Sequence, residues 1–106
     1  LSISNILAKA GYATEKASSG EEALKKFQAG IKIDLLITDY FMPGGTGRDL
    51  ANALWANHPQ LPVLFMSGYT ADVIAHHGVL KEGVNYLQKP FSKKELALKV
   101  RKALET

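Results

Sequence analysis

The sequence predicts an α/β protein in which a parallel β-sheet is covered by helices on both faces. Short apolar runs, typical of buried strands, alternate with segments whose apolar residues recur at three- and four-residue spacing, typical of helices. The connections between them are short, and this alternation predicts right-handed crossovers within one parallel sheet. At 106 residues the chain is long enough for one domain with a single core.

The elements are expected to alternate from a first helix to a last helix. The first half begins with a helix that contains Ile3, Ile6, Leu7 and Ala10 and ends at Gly11, followed by a strand at 12–17. A Ser19–Glu22 capping box opens the next helix, which turns Ala23, Leu24 and Phe27 inward and ends near Gly30. A strand at 35–37 follows. The second half contains a helix with Leu50, Ala53 and Leu54, a strand at 62–66, a weaker helix at 71–79 and a strand at 84–88. A Ser92–Glu95 capping box opens the last helix, which turns Leu96, Val100 and Leu104 inward.

Composition excludes several classes of protein. The chain has 46% apolar and 22% charged residues, as ordinary globular domains do, and lacks cysteine, which excludes disulfides and thiolate metal sites and suits the cytoplasm. No apolar run approaches the roughly 20 residues of a membrane span, so we expect no membrane contact. The net charge of +3 derives largely from the last helix. It is better explained by a solvated helix face than by direct nucleic-acid binding.

Three predicted strands end in residues able to do chemistry, namely Asp39, Ser67 and Lys89. In a parallel sheet these ends lie on one edge, a few ångströms apart. Each residue alone has an ordinary structural explanation: a cap, a turn hydroxyl and a surface lysine. Together they provide a carboxylate nucleophile, a hydroxyl donor and a fixed cation. A carboxylate can accept a phosphoryl group, a transfer that needs charge neutralisation by a lysine and a divalent metal.

The motifs around these residues resemble the receiver domain of two-component response regulators. They are residues 39–47 (DYFMPGGTG), 66–69 (MSGY) and 88–91 (QKPF), and the resemblance extends over essentially the whole chain. Residues 64–70 and 87–91 look most like receivers of hybrid sensor histidine kinases. The resemblance implies a flavodoxin-like, doubly wound parallel sheet with strand order 2-1-3-4-5.

The resemblance also implies a function, phosphorelay signalling, and roles for individual residues. Asp39 would accept a phosphoryl group from a histidine kinase or histidine phosphotransfer domain, with Mg²⁺ bound by Asp39 and the backbone carbonyl of Phe41. Ser67 would hydrogen-bond the phosphoryl group, Lys89 would pair with it, and Tyr86 would move with Ser67 as a switch. The Lys89–Pro90 bond would be cis. The switched surface, built from the fourth helix, last strand and last helix, would also serve as a homodimer face.

The chain departs from the receiver pattern at its start. In receivers the first strand ends in an acidic pair that binds Mg²⁺, whereas this chain begins where the following helix should begin. We therefore expect residues 1–106 to form one receiver domain, truncated at its N-terminus, with four of the five strands. The acidic pair that binds Mg²⁺ in the family is then absent from residues 1–106.

Two other functions remain open from the sequence. The first is a docking module that keeps the fold and works without phosphorylation. The second is a flavodoxin-like cofactor binder, for which the glycines at 44, 45 and 47 offer weak support because the third glycine of a dinucleotide fingerprint is lacking. His58, His76 and His77 are too scattered to predict a metal site.

Overall fold

A computed structural model of the chain describes residues 3–42, 45–68 and 85–105. The predicted helix at 71–79 and the start of the predicted strand at 84–88 lie outside these residues. The elements are α1 (Ile3–Lys9), α2 (Gly20–Gln28), β1 (Leu36–Asp39), β2 (Phe41–Met42), β3 (Gly45–Thr46), α3 (Gly47–Trp55), β4 (Val63–Ser67), β5 (Asn85–Gln88) and α4 (Lys93–Leu104). Within the described part of the chain, no helix is long and apolar enough to cross a membrane.

The main sheet is parallel, as predicted, with β4 between β1 and β5. In its register Asp39 is opposite Met66, and Ser67 is opposite Gln88. All five residues of β4 are buried. A strand that is paired on both edges and covered on both faces is expected to be apolar almost throughout, and the sequence VLFMS meets that expectation.

Alternate side chains of β4 enter two apolar clusters, one on each face of the sheet. Leu64 and Met66 join a cluster that also contains Leu7 of α1 and Leu96 of α4. Val63 and Phe65 join a second cluster with residues around α3. The predicted arrangement of helices on both faces of the sheet is therefore confirmed.

The predicted helix ends agree with the structure in most respects. Gly11 and Gly30 have φ values of +98° and +100°, a left-handed conformation that favours glycine after a helix. The capping box of α4 is complete, with reciprocal bonds between Ser92 and Glu95. In α2 only half of the predicted box forms, because Glu22 accepts from the Ser18 hydroxyl (2.5 Å) and Ser19 alone caps the helix.

The prediction of a strand at residues 12–17 is wrong. This segment forms no ladder with β1, and β1 pairs only with β4 among the described residues. A cleft of about 810 Å³ separates the segment from β1. Alternating side chains alone do not make a strand, since its backbone groups also need a neighbouring strand with which to pair. The main sheet therefore has three strands in the described part of the chain, where four were predicted.

Two further differences lie around this cleft and the glycine-rich loop. The predicted inward face of α2 is only half-buried, and α2 has no fully buried residue, because Ala23 and Phe27 line the cleft. Residues 41–42 and 45–46, in the glycine-rich segment after β1, form the antiparallel pair β2–β3, which was not predicted, with Phe41 opposite Thr46.

Candidate functional site

Asp39 lies at the carboxyl end of β1, and the backbone around it is tightly held. The Thr38 hydroxyl donates to the Asp39 carbonyl oxygen (3.0 Å), and the next amide, of Tyr40, donates to the carbonyl of Met66 in β4 (2.8 Å). The Gly47 amide at the start of α3 donates to the Tyr40 carbonyl (2.6 Å). The end of β1 is thereby joined to both β4 and α3, which fixes the position of the carboxylate.

The carboxylate forms an ion pair with Lys89, whose Nζ lies 2.5 Å from Asp39 Oδ1. The Oδ1 atom is shielded from solvent, and its contact with the ammonium group lacks hydrogen-bond geometry. The two side chains are nevertheless 43% and 45% exposed. We infer that Oδ2 is the oxygen that a reactant from solution can approach. The pair thus combines neutralised charge with access to solvent.

Lys89 is positioned by the ends of the other two strands. It follows β5 directly, and its amide donates to the carbonyl of Ser67 at the end of β4 (2.7 Å). The Lys89–Pro90 peptide bond is cis, as expected. The three predicted site residues therefore occupy successive strand ends on one edge of the sheet.

Ser67 and Tyr86 are neighbours beside this pair. Ser67 is buried at 5% exposure, and the Tyr86 hydroxyl donates to its carbonyl oxygen at 3.4 Å. Tyr86 is half-buried and packs against the cluster that contains Phe65. The two residues predicted to move together are thus already in contact.

Phe41 occupies the first position of β2, two residues after Asp39. Its side chain is 42% exposed, and its ring meets the edge of the Tyr40 ring at a centroid distance of 4.8 Å. Tyr40 is buried and contacts Phe65 in turn, with centroids 6.0 Å apart. Ring contacts through Tyr40 therefore connect Phe41 to the core and support the backbone whose carbonyl was predicted to bind Mg²⁺.

Gly47 is a residue of the site that the sequence analysis did not single out. A Cβ atom there would overlap the Asp39 carbonyl oxygen and lie 2.9 Å from Thr38 Cγ2. Only glycine allows α3 to begin this close to the end of β1. The signal was present as the last glycine of residues 39–47, but that glycine was considered only within the receiver motif and a weak dinucleotide pattern, without a role of its own.

The oxygen donors near Asp39 meet part of the coordination that Mg²⁺ requires. Asp39 and the Phe41 carbonyl are oxygen donors close together in sequence, and Mg²⁺ commonly uses one or two carboxylates and keeps several waters. Across the ranges 3–42, 45–68 and 85–105, no three His, Cys, Asp or Glu side chains cluster together. The described residues therefore fit a largely hydrated Mg²⁺, and not an ion enclosed by protein ligands. His58 packs its ring edge-on to Phe27 (4.7 Å), a structural contact.

These features define a class of protein: an α/β fold with a lysine-paired carboxylate at the carboxyl edge of its parallel sheet. A sequence profile described as the response regulator receiver domain matches residues 1–101. The chain belongs to this family. The family identification made from residues 39–47, 66–69 and 88–91 is therefore confirmed, as is the flavodoxin-like fold class.

Relatives include both kinase-linked and stand-alone receivers. The chain is 36% identical to sensor kinase CckA of Brucella abortus over 96 residues, covering 90% of this chain and 10% of the kinase. It is also 36% identical to chemotaxis protein CheY1 of Helicobacter pylori, covering 98% of this chain and 86% of that protein. The solved structure of Vibrio cholerae CheY4 superposes with a TM-score of 0.84 at 29% identity, covering 95% and 85% of the two chains.

The match is to one part of several larger proteins. The chain spans a tenth of the sensor kinase and 43% of the Escherichia coli transcriptional regulatory protein CreB.

Proposed function

We propose that Asp39 of this receiver accepts a phosphoryl group from a phosphohistidine and so passes a signal along a phosphorelay. The observation that carries the proposal is the ion pair between Asp39 and Lys89, formed at 2.5 Å by two side chains that both remain accessible. Here the nucleophile and its cation face solution at the edge of the sheet where ligands bind in open α/β folds.

The proposed transfer is a displacement at phosphorus. An Asp39 carboxylate oxygen forms an O–P bond as the N–P bond of the donor histidine breaks. The electron pair of that bond returns to the imidazole nitrogen, which takes up a proton. Lys89 balances the negative charge on the phosphoryl oxygens, and Ser67, at the adjacent strand end, offers a hydroxyl to one of them.

Mg²⁺ belongs to the proposal because receiver domains generally use it for phosphorylation. The Asp39 carboxylate and the Phe41 carbonyl would hold the ion, with waters completing its coordination. When bound, it would supply further neutralisation of the phosphoryl charge. The described residues contain one carboxylate at this point, so we expect weak affinity for Mg²⁺ by this chain alone.

The test is phosphorylation with a small phosphodonor, such as acetyl phosphate, in the presence of Mg²⁺. Intact mass spectrometry should show the addition of one phosphoryl group, released by hydroxylamine as expected for an acyl phosphate. Asp39→Asn should abolish the addition, and Lys89→Ala should slow it roughly 100-fold. Asp34→Asn is the matched control, since Asp34 precedes the other end of the same strand and should not matter.

The same experiment decides between phosphotransfer and the two other functions. A docking module that works without phosphorylation would show no added mass in any variant, and that result would overturn the proposal. Modification that persists in Asp39→Asn would overturn the assignment of the acceptor. A flavodoxin-like cofactor binder would carry a bound chromophore or nucleotide through purification, and we expect none.

We further propose that the output is a protein contact in the cytoplasm, made by the face that includes β5 and α4. Leu98 on α4 is 59% exposed, an unusual exposure for leucine in a chain that buries most of its large apolar residues. Lys94 and Lys102 lie one turn away on either side. A homodimer through this face would appear in sedimentation velocity after phosphorylation, and Leu98→Glu should return the protein to monomer.

A further inference from the structure

Thr38 carries a buried hydroxyl beside the reactive carboxylate, and the proposed transfer gives it no role. Its side chain is 7% exposed, and Ser67 is the other buried polar residue in the part of the chain that the structure describes. Leu36, two residues earlier in β1, packs against the apolar cluster under α3, so Thr38 lies on the same face of the sheet. A hydroxyl buried there needs a hydrogen-bond partner, whereas an apolar side chain would not. The contacts of Thr38 show what the hydroxyl does.

The hydroxyl bonds to the backbone of the next residue. It donates to the carbonyl oxygen of Asp39 at 3.0 Å. In the parallel register the amides of Leu36 and Tyr40 bond to β4, so the alternate residue Asp39 turns its carbonyl away from that strand. Because β4 supplies no donor to this oxygen, the side chain of Thr38 does so.

The methyl group of Thr38 holds the hydroxyl in place. The Cγ2 atom lies against Gly47 at the start of α3, where an added Cβ atom would come within 2.9 Å of it. The same Cβ atom would overlap the Asp39 carbonyl oxygen. A β-branched side chain has few χ1 rotamers, so a methyl group packed on Gly47 also fixes the direction of the hydroxyl. The carbonyl oxygen is thus enclosed between the Thr38 hydroxyl and the first residue of α3.

The peptide group between Asp39 and Tyr40 is consequently bonded on both sides. Its N–H donates to the carbonyl of Met66 (2.8 Å), and its carbonyl, which points the opposite way in a trans peptide, accepts from Thr38. Together these bonds fix the rotation of the peptide group relative to the Asp39 Cα atom. The direction of the carboxylate toward Lys89 depends on that rotation. Loss of the Thr38 bond would therefore loosen the carboxylate and leave β1 paired with β4.

We propose that Thr38 is a positioning residue for phosphoryl transfer: its hydroxyl holds the Asp39–Tyr40 peptide group so that the carboxylate faces Lys89 and the incoming phosphorus. A displacement of about 1 Å in a reacting group can cost about 100-fold in rate, so this orientation matters. The role rests on the proposed phosphotransfer at Asp39 and is exerted through that residue, without contact between Thr38 and the phosphoryl group.

The test compares substitutions of Thr38 in the full chain, phosphorylated by acetyl phosphate in excess Mg²⁺. Thr38→Val keeps the shape of the side chain and removes the hydroxyl, whereas Thr38→Ser keeps the hydroxyl and removes the methyl. The rate should fall about five- to tenfold in Thr38→Val, the effect of about one lost hydrogen bond, and stay within about twofold of wild type in Thr38→Ser. Thr38→Ala should be as slow as valine, and its comparison with serine decides the question if the valine variant does not fold.

Two further measurements separate positioning from stability. In hydrogen-exchange NMR, the Tyr40 amide should exchange about fivefold faster in Thr38→Val, whereas the Leu36 amide, bonded to Pro62 at the other end of β1, should be unchanged. Leu104→Ala is the stability control, because Leu104 ends α4 and packs on the core. It should lower the urea midpoint and leave the phosphorylation rate at the wild-type value.

Each remaining outcome overturns a defined part of the proposal. If Thr38→Val and wild type take up phosphate at the same rate, Thr38 has no positioning role and the proposed function stands. Equal slowing in Thr38→Ser and Thr38→Val would assign the effect to the fit of the side chain, and the role of the hydroxyl would be wrong. A wild-type chain that takes up no phosphoryl group would overturn the function of Asp39, and the role of Thr38 with it.

Discussion

Asp39 combines a close cation with open access at the edge of the sheet. Burial would strengthen its interaction with Lys89 but exclude a phosphohistidine, whereas full exposure would leave the charge to water. At 45% exposure of its side chain, with Nζ 2.5 Å from Oδ1, the residue keeps both. Both properties follow from its place at the last position of β1, at the edge of the sheet.

Gly47 controls how close α3 can come to this carboxylate, and we expect Gly47→Ala to destabilise the fold. Alanine favours a helix over glycine by up to about 1 kcal/mol, but its Cβ would overlap the Asp39 carbonyl oxygen, and such overpacking costs about 1–3 kcal/mol. Urea unfolding should show a net loss. Gly68→Ala is the control, because nothing lies within 4 Å of a Cβ there, and its effect should stay within about 0.5 kcal/mol.

The hydrogen bond from the Ser18 hydroxyl to the Glu22 carboxylate depends on pH. The Ser18 hydroxyl lowers the pKa of Glu22, with further lowering from the Ser18 backbone and from Lys26. Because the folded-state pKa is lowered, the contact stabilises the fold above the ordinary carboxylate pKa and is lost as the pH falls through the folded-state value. Ser18→Ala should raise the pKa of Glu22, measured by carboxylate NMR titration, and a Ser18→Ala titration curve matching the wild type would contradict this. Lys25→Ala should not change it.

At the scale of the element, helix caps explain how short segments fold locally. The boxes at Ser92–Glu95 and Thr46–Asp49 each satisfy amides that the first turn of a helix leaves without partners. The first was predicted and the second was not, because Thr46 stood inside a glycine run that the sequence suggested was loop. Its neighbour Gly47 begins α3 directly.

Ser92→Ala should lower the free energy of unfolding by about 1 kcal/mol through loss of the cap of α4. The Ser92 hydroxyl accepts from the Glu95 amide at 3.0 Å, and alanine leaves that amide to water. Ser92→Asp keeps an acceptor and should unfold at nearly the wild-type urea concentration. If alanine and aspartate unfold at the same midpoint, the cap contributes nothing to stability.

At the scale of the whole molecule, the three-stranded sheet concentrates stability in β4. Leu64 and Phe65 are fully buried, one in each cluster, so β4 connects the two halves of the core. The β1 edge carries no second strand among the described residues, and the cleft between β1 and residues 12–17 lies there. We therefore expect slow amide exchange in β4 and faster exchange in β1.

Phe65→Ala should cost about 3–5 kcal/mol, a large share of the stability of a domain of this size. The cavity would form in the cluster that also holds Tyr40 and Ala51, under α3. Leu98→Ala, at an exposed position on α4, should change stability by no more than about 0.5 kcal/mol. Thermal unfolding followed by circular dichroism measures both, and similar midpoints would contradict the assignment of β4 as the centre of the core.

The sequence by itself determined the features that arise from local chemistry. Apolar runs predicted β1, β4 and β5, and polar residues at their ends predicted the edge where Asp39, Ser67 and Lys89 meet. These predictions succeeded because strand period and the geometry of parallel sheets are set by the backbone. The tertiary structure alone decided that residues 12–17 are not a strand, that α2 is half-buried, and that α3 begins within contact of Asp39. Each of these depends on a partner distant in the chain, and alternation of side chains cannot reveal whether that partner is in place.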